Sequence, residues 1–318
     1  MAANIETMFS VREKPWHYEM TKDKTKILQE APTSAEAIKL AGLDWSVEKK
    51  AVYTGDSIEI NGYFANTRST DNKVLGIVTD RYKVVQNSEA FEFTDNLIGN
   101  SVHYETAGSL QGGKKIWLLA KMQETKVAGD IVEPYLCFTN SHDGTGAIKA
   151  CMTPVRVVCN NTLNLALSTA KRMWSTGHKG NMEAKLAEAK YTLQLAETYM
   201  YELDKKAIDL ANISVNIQQI AAILDELFPV KDTDSDVKKK NVAEAKNEYF
   251  RCYNAPDLDK FIGSAWGAIN AMVDMADHAE PRRNTSNYGE NNWGRIIDGH
   301  IMVDTFLIKL AQAAKVSV

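Results

Sequence analysis

Hydrophobic and polar positions change their spacing once along the chain, close to residue 180. Between residues 45 and 86 they alternate, and the turn sequences Thr-Gly-Asp, Asn-Gly and Asp-Asn interrupt them. This pattern predicts a meander of about four or five strands. Ser88 begins a predicted helix that ends at Ile98, and the segments 102–110 and 114–121 flank two glycines as a hairpin. This part of the chain is therefore predicted to fold as a sheet.

Residues 131–165 depart most from an ordinary scaffold. Ile131–Thr139 and Ala147–Cys159 are dense in β-branched and apolar residues, so they predict two interior strands. The seven residues between them, Asn140 to Gly146, are turn formers, because their side chains bond backbone amides or they tolerate positive φ. After the second strand, Asn160 or Asn161 is expected to cap a helix, whose N-terminus would attract an anion.

Past Gly180 apolar residues recur at alternating spacings of three and four, which is a heptad pattern and predicts a long helix with a partner. Its positions are Leu186, Ala189, Leu193, Ala196, Met200, Leu203, Ala207 and Leu210. Ser214 is expected to cap the next helix, which stops at Pro229. Further helices are predicted near 237–252, 259–278 and 299–315, with a loop over 279–298.

These patterns together predict an α+β protein with an N-terminal antiparallel β-meander sheet, packed helices and a C-terminal helical part. We divide it into an N-terminal arm with a short helix (1–44), a β-rich α+β core (45–180) and a helical region (181–318). The arm, which carries Phe9 and Trp16, is expected to place aromatic residues on the body or on a neighbouring subunit.

Charge is distributed unevenly. The chain has a net charge of −4 and a pI of about 5.9, so the whole molecule is not a generic binder of polyanions. Residues 1–180 nevertheless carry +1 and residues 181–318 carry −5, and the segment from 135 to 181 alone carries +4. Any nucleic-acid site is therefore expected to be local and to lie in the first part of the chain.

The four cysteines, at 137, 151, 159 and 252, form no CxxC pair and have no histidine at metal-ligand spacing. They are predicted to be buried thiols in a reducing compartment. The sequence also has no apolar run of 18 residues and no signal-peptide core, so a cytoplasmic location without membrane contact is expected. We expect no metal, no cofactor and no catalytic residue.

Several segments of the sequence are long enough to be specific for a protein family: LDWSVEK, LGIVTDRYKVVQN, YETAGSLQGGKKIWLLAK, YLCFTNSHDGTG, TPVRVVCNNTLNLAL and GSAWGAINAMVDMADH. In order and content, over residues 8–278, they resemble the phage/plasmid-like protein family, domain of unknown function 932. That resemblance implies a protein of mobile elements and no assigned activity. The architecture of a strand-rich meander with a crossing helix, followed by helices, is similar to that of the Rad52-like single-strand annealing proteins of phages.

We interpret the chain first as a cofactor-free oligomer that binds single-stranded nucleic acid, and annealing of such strands is an extension of this hypothesis. Basic residues and an interleaved aromatic form such grooves. The residues expected to supply the groove are Arg81, Lys83, Lys114, Lys115, Arg156, Asn160, Asn161, Lys171, Arg172 and Trp174. Lys171 and Arg172 are expected to be exposed, whereas Arg156 lies in an apolar strand and needs either a phosphate or a core carboxylate as its partner.

Two other functions stay open. The acidic helical region and its heptad pattern favour a protein-interaction or anti-defence factor of a mobile element, whose partner would be a host or phage protein. Ser141, His142 and Asp143 form a candidate functional turn, which would suit a hydrolase. However, the chain has no GxSxG motif, and turn formation explains the same three residues. A homo-oligomer is expected because the heptad pattern is long and the arm can reach a neighbour.

Overall fold

The central sheet is antiparallel over most of its width. The computed structural model describes residues 5–12, 26–98, 103–159, 161–165, 172–194, 196–279 and 288–314. The strands of this sheet are β1 (Ile5–Ser10), β2 (Lys26–Ile27), β6 (His103–Leu110), β7 (Lys115–Lys121), β8 (Thr125–Val127), β9 (Asp130–Ser141), β10 (Ile148–Arg156) and β11 (Met173–Thr176). Their order across the sheet is β11-β10-β9-β7-β6-β1-β2, and β8 pairs with β9 outside this order.

β9 and β10 lie in the interior of the sheet, as their composition predicts. They pair over eight positions in one register, from Lys149 opposite Thr139 to Arg156 opposite Val132. Nearly every residue of both strands is buried, because helices cover both faces of the sheet. A strand that is buried on both faces needs apolar residues at successive positions, because alternating polar and apolar residues would place polar side chains in a core.

A smaller sheet stands beside the first and contains β3 (Val47–Tyr53), β4 (Glu59–Arg68) and β5 (Val74–Thr79) in that order. The meander predicted over residues 45–86 has three strands here, where four or five were expected. The last part of that segment serves another purpose, because the amide of Lys83 bonds the carbonyl of His178. Tyr63 and Ile77 lie on the outer face of the small sheet and are 50% and 52% exposed.

Helices cover the central sheet and make up the secondary structure of the described residues after 181. The predicted α+β class is therefore confirmed. They are α1 (Ser34–Leu40), α2 (Asn87–Ile98), α3 (Met182–Gln194), α4 (Ala196–Ala211), α5 (Ile217–Leu227), α6 (Asp236–Tyr253), α7 (Ala265–His278), α8 (Tyr288–Asp298) and α9 (Ile301–Ala314), with a 3-10 turn at Pro256–Phe261. Within the described ranges, none of them is long and apolar enough to cross a membrane.

Three apolar clusters hold these layers together. The first lies between one face of the central sheet and α1, α2 and α3, and it contains Phe138 and Trp174. The second lies on the opposite face, where Trp293 of α8 packs against the sheet. The third is the core of the helical region and surrounds α7, in which Trp266 and Ile269 are fully buried. Long-range packing thus decides where each amphipathic helix sits.

The helix predicted to begin at Asn160 or Asn161 does not begin there. Residues 161–165 are not helical; the amide of Arg156 bonds the carbonyl of Asn161 at 2.9 Å, and Leu163 bonds back to Pro154 at 2.7 Å. The chain returns along the end of β10, so these backbone groups are used in tertiary contacts. Residues 161–165 therefore provide no helix N-terminus that could attract an anion.

Two other boundaries differ from prediction. Asn216, rather than Ser214, caps α5, because its side chain accepts the amide hydrogen of Gln219 while Ser214 forms a bridge to Ser264. The segment 279–298, predicted as a loop, contains α8. Its composition is rich in Asn and Gly, but Trp293 and its apolar neighbours cover the central sheet, and this burial outweighs the poor helix propensity.

The heptad positions over 186–210 find their partners inside the chain. Leu186 and Ala189 pack into the cluster under the central sheet, whereas Met200 and Leu203 pack into the helical core around α7. The side chains of residues 193 and 196 lie outside the described part. The described positions therefore leave no continuous apolar stripe for a second subunit, and the heptad pattern does not itself support a homo-oligomer.

Arg156 joins the β-rich part to the helical part. It is 1% exposed, and its guanidinium donates to Asp130 at 2.7 and 3.1 Å, to Asp257 at 3.1 Å and to Asn270 at 3.2 Å. Asp130 begins β9, Asp257 lies in the 3-10 turn and Asn270 lies in α7. Of the two partners that the sequence allowed for Arg156, the core carboxylate is the one present. Lys260 also pairs with Asp130 from the solvent side.

Replacing Arg156 with alanine should destabilise the protein by about 3 to 5 kcal/mol, because the largely enclosed carboxylates of Asp130 and Asp257 would lose their guanidinium donor, and Lys260 contacts only Asp130. Chemical denaturation with the purified variant measures this. Lys260→Ala is the matched control, since Lys260 contacts the same Asp130 but its side chain is 53% exposed, and we expect a loss of roughly 1 kcal/mol or less. Equal losses for the two variants would contradict the assigned role of Arg156.

Candidate nucleic-acid interface

The turn between β9 and β10 is closed by its own side chains. The Ser141 hydroxyl donates to Asp143 Oδ1 at 2.5 Å and accepts the amide hydrogen of Gly146 at 3.1 Å. Thr145 donates to the same carboxylate oxygen from its amide and its hydroxyl. Burial raises the pKa of Asp143, but these hydrogen bonds outweigh it and hold the pKa below its ordinary value.

His142 points inward from this turn and is fully buried. Its Nε2 lies 2.9 Å from Asn87 Oδ1, and Trp45 packs edge-on against its ring at 5.4 Å. Because the amide nitrogen of Asn87 already donates to two backbone carbonyls, Nε2 of His142 carries the hydrogen and donates to Asn87. Burial lowers the pKa of His142 to about 3, so the ring is neutral at physiological pH.

Three other chain segments meet at the turn. Tyr82 donates to the carbonyl of Ser141 at 2.5 Å, and its ring stacks on His178 at 4.4 Å. The amide of Lys83 bonds the carbonyl of His178 at 2.8 Å, and the amide of His142 bonds the carbonyl of Lys114 at 2.7 Å. The turn is therefore fixed to the segment after β5, to the start of β7 and to the loop after β11.

This geometry suits a structural turn and gives the hydrolase interpretation no support. Nε2 of His142 bonds Asn87 and Nδ1 has no hydrogen-bond partner, so neither nitrogen contacts the hydroxyl of Ser141. That hydroxyl donates instead to Asp143. A serine nucleophile of the Ser-His-Asp kind needs a histidine base within hydrogen-bond reach, and His142 does not supply it here. In the described ranges, no group of three or more His, Cys, Asp or Glu is placed to hold a metal ion.

Five basic residues lie on or next to the chain segments that meet at the turn, and we call them the turn surface: Arg81, Lys83, Lys114, Lys179 and Lys185. Arg81, Lys83 and Lys179 are exposed, and the other two are half-buried. Lys185 reaches the carbonyl of Gly177 at 3.1 Å. Among the residues that the structure describes, no carboxylate forms an ion pair with any of the five, in contrast to Lys115, which pairs with Glu290 at 2.9 Å.

The other described residues that were predicted to bind nucleic acid are buried, with the exception of Lys115. Arg172 was expected to be exposed, but it is 8% exposed and donates to the carbonyl of Ile297 at 2.9 Å, at the end of α8. Helix ends leave carbonyls without intrahelical donors, which explains why an arginine is buried there. Asn161 and Trp174 are buried at 1% and 6% exposure, so Trp174 cannot stack on a base. Asn160 and Lys171 lie outside the described residues.

Sequence reasoning missed Lys185 and Tyr63. Lys185 follows the start of a helix, and its sequence neighbours gave no reason to place it beside Lys83. The ring of Tyr63 is half-exposed on the outer face of the small sheet, where Tyr63 pairs with Thr79, two residues before Arg81. The alternation of polar and apolar residues in this strand was a usable signal, because an aromatic residue on the polar face of a strand is open to solvent.

A second ionic cluster, also missed, joins the N-terminal arm to the sheet. Arg12 contacts Glu105 and Glu133, each at 3.0 Å, and Glu133 also receives hydrogen bonds from Lys121 and from Tyr135. Burial raises the pKa of Glu105. In Glu133, hydrogen bonds from Lys121 and Tyr135 outweigh burial and lower the pKa. The cations and carboxylates of this cluster are matched, so it serves to hold β1 in the sheet.

Comparison with known proteins gives one result. A family model described as Domain of unknown function (DUF932) matches residues 74–295, which include the turn, all five residues of the turn surface and the Arg156 contacts. No curated protein matches this chain. No solved structure matches it either.

The buried His142 should make stability fall in acid. Its pKa is about 3 in the folded protein, below its ordinary value of 6.5, so between these pH values only the unfolded chain takes up the proton. Stability contributed by the neutral ring is complete above pH 6.5 and is lost as pH falls toward 3. His142→Gln, which keeps a donor for Asn87 but does not titrate, should show a shallower loss by denaturant unfolding across this range.

The exposed His103 provides the control for this experiment. His103→Gln should follow the wild-type profile. A His142→Gln profile as steep as that of the wild type would show that the acid sensitivity arises from other groups, such as His178, whose pKa burial also lowers.

Proposed function

The chain belongs to the family defined by the domain of unknown function DUF932, and we propose that it binds single-stranded nucleic acid at the turn surface. The observation that carries this proposal is the set of five basic side chains, free of carboxylate partners in the described part of the chain, around one rigid turn. Phosphate contacts from lysine and arginine supply most of the affinity of such proteins.

Unpaired cations matter because a paired lysine must give up its carboxylate before it can bind a phosphate. Lys115 and Lys149 are held by Glu290 and Asp298, and Arg68 is held by two carboxylates. Arg81 and Lys83 have no such partner to displace among the described residues. The protein has a net charge of −4, so this local excess of positive charge is what would attract a polyanion.

The backbone beneath these cations is already ordered. Lys83 and Lys114 are tied to the loop after β11 and to the turn by hydrogen bonds of 2.8 and 2.7 Å. Binding would therefore order side chains alone, and less conformational entropy would be lost than for a flexible loop. The buried His142 and Tyr82 contribute to this order, because their hydrogen bonds fix the turn. Neither side chain needs to contact the ligand.

Tyr63 favours a single strand over a duplex. Its ring is 50% exposed beside Ile77 on the outer face of the small sheet, and its strand partner Thr79 leads directly to Arg81. Bases of a single strand can stack on an exposed aromatic ring, whereas the faces of bases in a duplex are already stacked. Annealing activity and a homo-oligomeric state remain part of the proposal, although the described part of the N-terminal arm packs within the chain's own sheet.

A protein partner is the second candidate, because Tyr63, Ile77 and Val74 also give the outer face of the small sheet an apolar character. The salt dependence of binding distinguishes a nucleic acid from a protein partner. Binding through phosphates must weaken steeply as salt rises, and an apolar protein contact need not.

Arg81→Glu/Lys83→Glu should weaken binding of a labelled oligothymidine at least about tenfold at low salt, and the slope of log K against log salt should fall by roughly 0.7 for each phosphate that the variant no longer neutralises. Fluorescence anisotropy at several salt concentrations measures both. Both residues are exposed, so the melting temperature should stay close to that of the wild type. Lys240→Glu, on α6 with its side chain 77% exposed, is the matched control. An affinity equal to that of the wild type in the double variant would remove the basis of this proposal.

Tyr63→Ala should weaken the same interaction by about 1 to 3 kcal/mol if a base stacks on the ring, with little change in the salt slope. Tyr191→Ala is the control, because Tyr191 of α3 is 69% exposed. Equal effects of the two substitutions would place the strand away from the small sheet.

A further inference from the structure

An open groove lies between α1 and α2, on the face of the central sheet that α1, α2 and α3 cover. Its volume is about 300 Å³. Ile38 and Phe91 provide an apolar floor, Ala35 lies on the α1 side, and Glu92 and Asp95 provide the carboxylates. The lining residues of α2 recur at spacings of three and four, so they form one stripe along the helix.

Negative charge dominates this groove. The residues of α2 include Glu89, Glu92 and Asp95 and no lysine or arginine. Asp95 is held in place, because it accepts a hydrogen bond of 2.9 Å from the hydroxyl of Tyr104, while Glu92 is exposed. A phosphate would be repelled here, so the groove is chemically distinct from the turn surface.

We propose that this groove binds an arginine or lysine side chain from an apolar and basic segment of a partner protein. The aliphatic stem of such a side chain buries against apolar surface while its charged head stays near carboxylates. Phe91 and Ile38 match the stem, and Glu92 with Asp95 matches the head. The volume suits one long side chain, and charge complementarity selects a cationic partner over an acidic one.

The probe for this site is the acetylated peptide Ala-Leu-Arg-Lys-Leu-Ala, compared with an analogue in which citrulline and acetyl-lysine replace the two cations. Titration with the intact protein is followed by calorimetry and by the chemical shifts of methyl groups in α1 and α2. The cationic peptide should bind and should shift the methyl signals of Ile38. Its neutral analogue should bind at least about tenfold more weakly.

Two variants test the location. Ala35→Trp fills the groove without changing charge, and Glu92→Lys reverses one carboxylate; each should weaken peptide binding at least about tenfold. Glu188→Lys makes the same charge change at an exposed position of α3, outside the groove, and should bind like the wild type. Wild-type binding by Ala35→Trp, equal weakening by Glu188→Lys, or no binding of the cationic peptide would each overturn the proposal. Oligothymidine binding by Ala35→Trp is measured in parallel, so this outcome is independent of the function proposed above.

Discussion

One buried guanidinium determines how the two halves of the chain meet. Arg156 ends β10, and its contacts reach Asp130 at the start of β9, Asp257 in the 3-10 turn and Asn270 in α7. A hydrophobic contact tolerates sliding, but this set of directional hydrogen bonds does not. Replacing such a network with apolar residues is often neutral or stabilising in other proteins, so its contribution here is best understood as fixing the orientation of α7 against the sheet.

The β9–β10 hairpin therefore has two polar ends with different consequences. At the Arg156 end the polar groups are enclosed, and the chain that follows is held by Thr162, which donates to Asp277 of α7 from its amide and its hydroxyl. At the other end the turn buries His142 but leaves Arg81 and Lys83 in solvent. The same pair of strands thus orders the helical region at one end and a basic surface at the other.

The strands of this hairpin could be predicted because their composition reports directly on burial at both faces. The chain after them could not, because an Asn pair followed by leucines carries the local signals of a helix start, while the actual partners of this backbone are Arg156 and Pro154. The same limit applies to Arg172. Sequence gives its charge, but only the fold shows that the end of α8 needs a donor at that place. Lys83 and Lys114 were predictable as cations, and their meeting at one turn depends on long-range pairing.

The groove and the turn surface carry opposite charges, and the ionic strength decides how far each charge acts. The acidic positions Glu92 and Asp95 lie five and eight residues after Asn87, the first residue of α2, which corresponds to about 8 and 12 Å along a helix axis. Lys83 lies just before that helix begins. Both carboxylates therefore lie about one Debye length or more, which is about 8 Å at physiological ionic strength, from the start of α2. Each surface would then act on its own ligand at physiological salt, whereas at low salt the acidic groove would oppose the approach of a nucleic acid. If the proposed nucleic-acid binding is correct, its salt dependence at low ionic strength would contain a repulsive contribution from the groove beside that of the phosphate contacts, and the variants at Arg81 and Lys83 would separate the two.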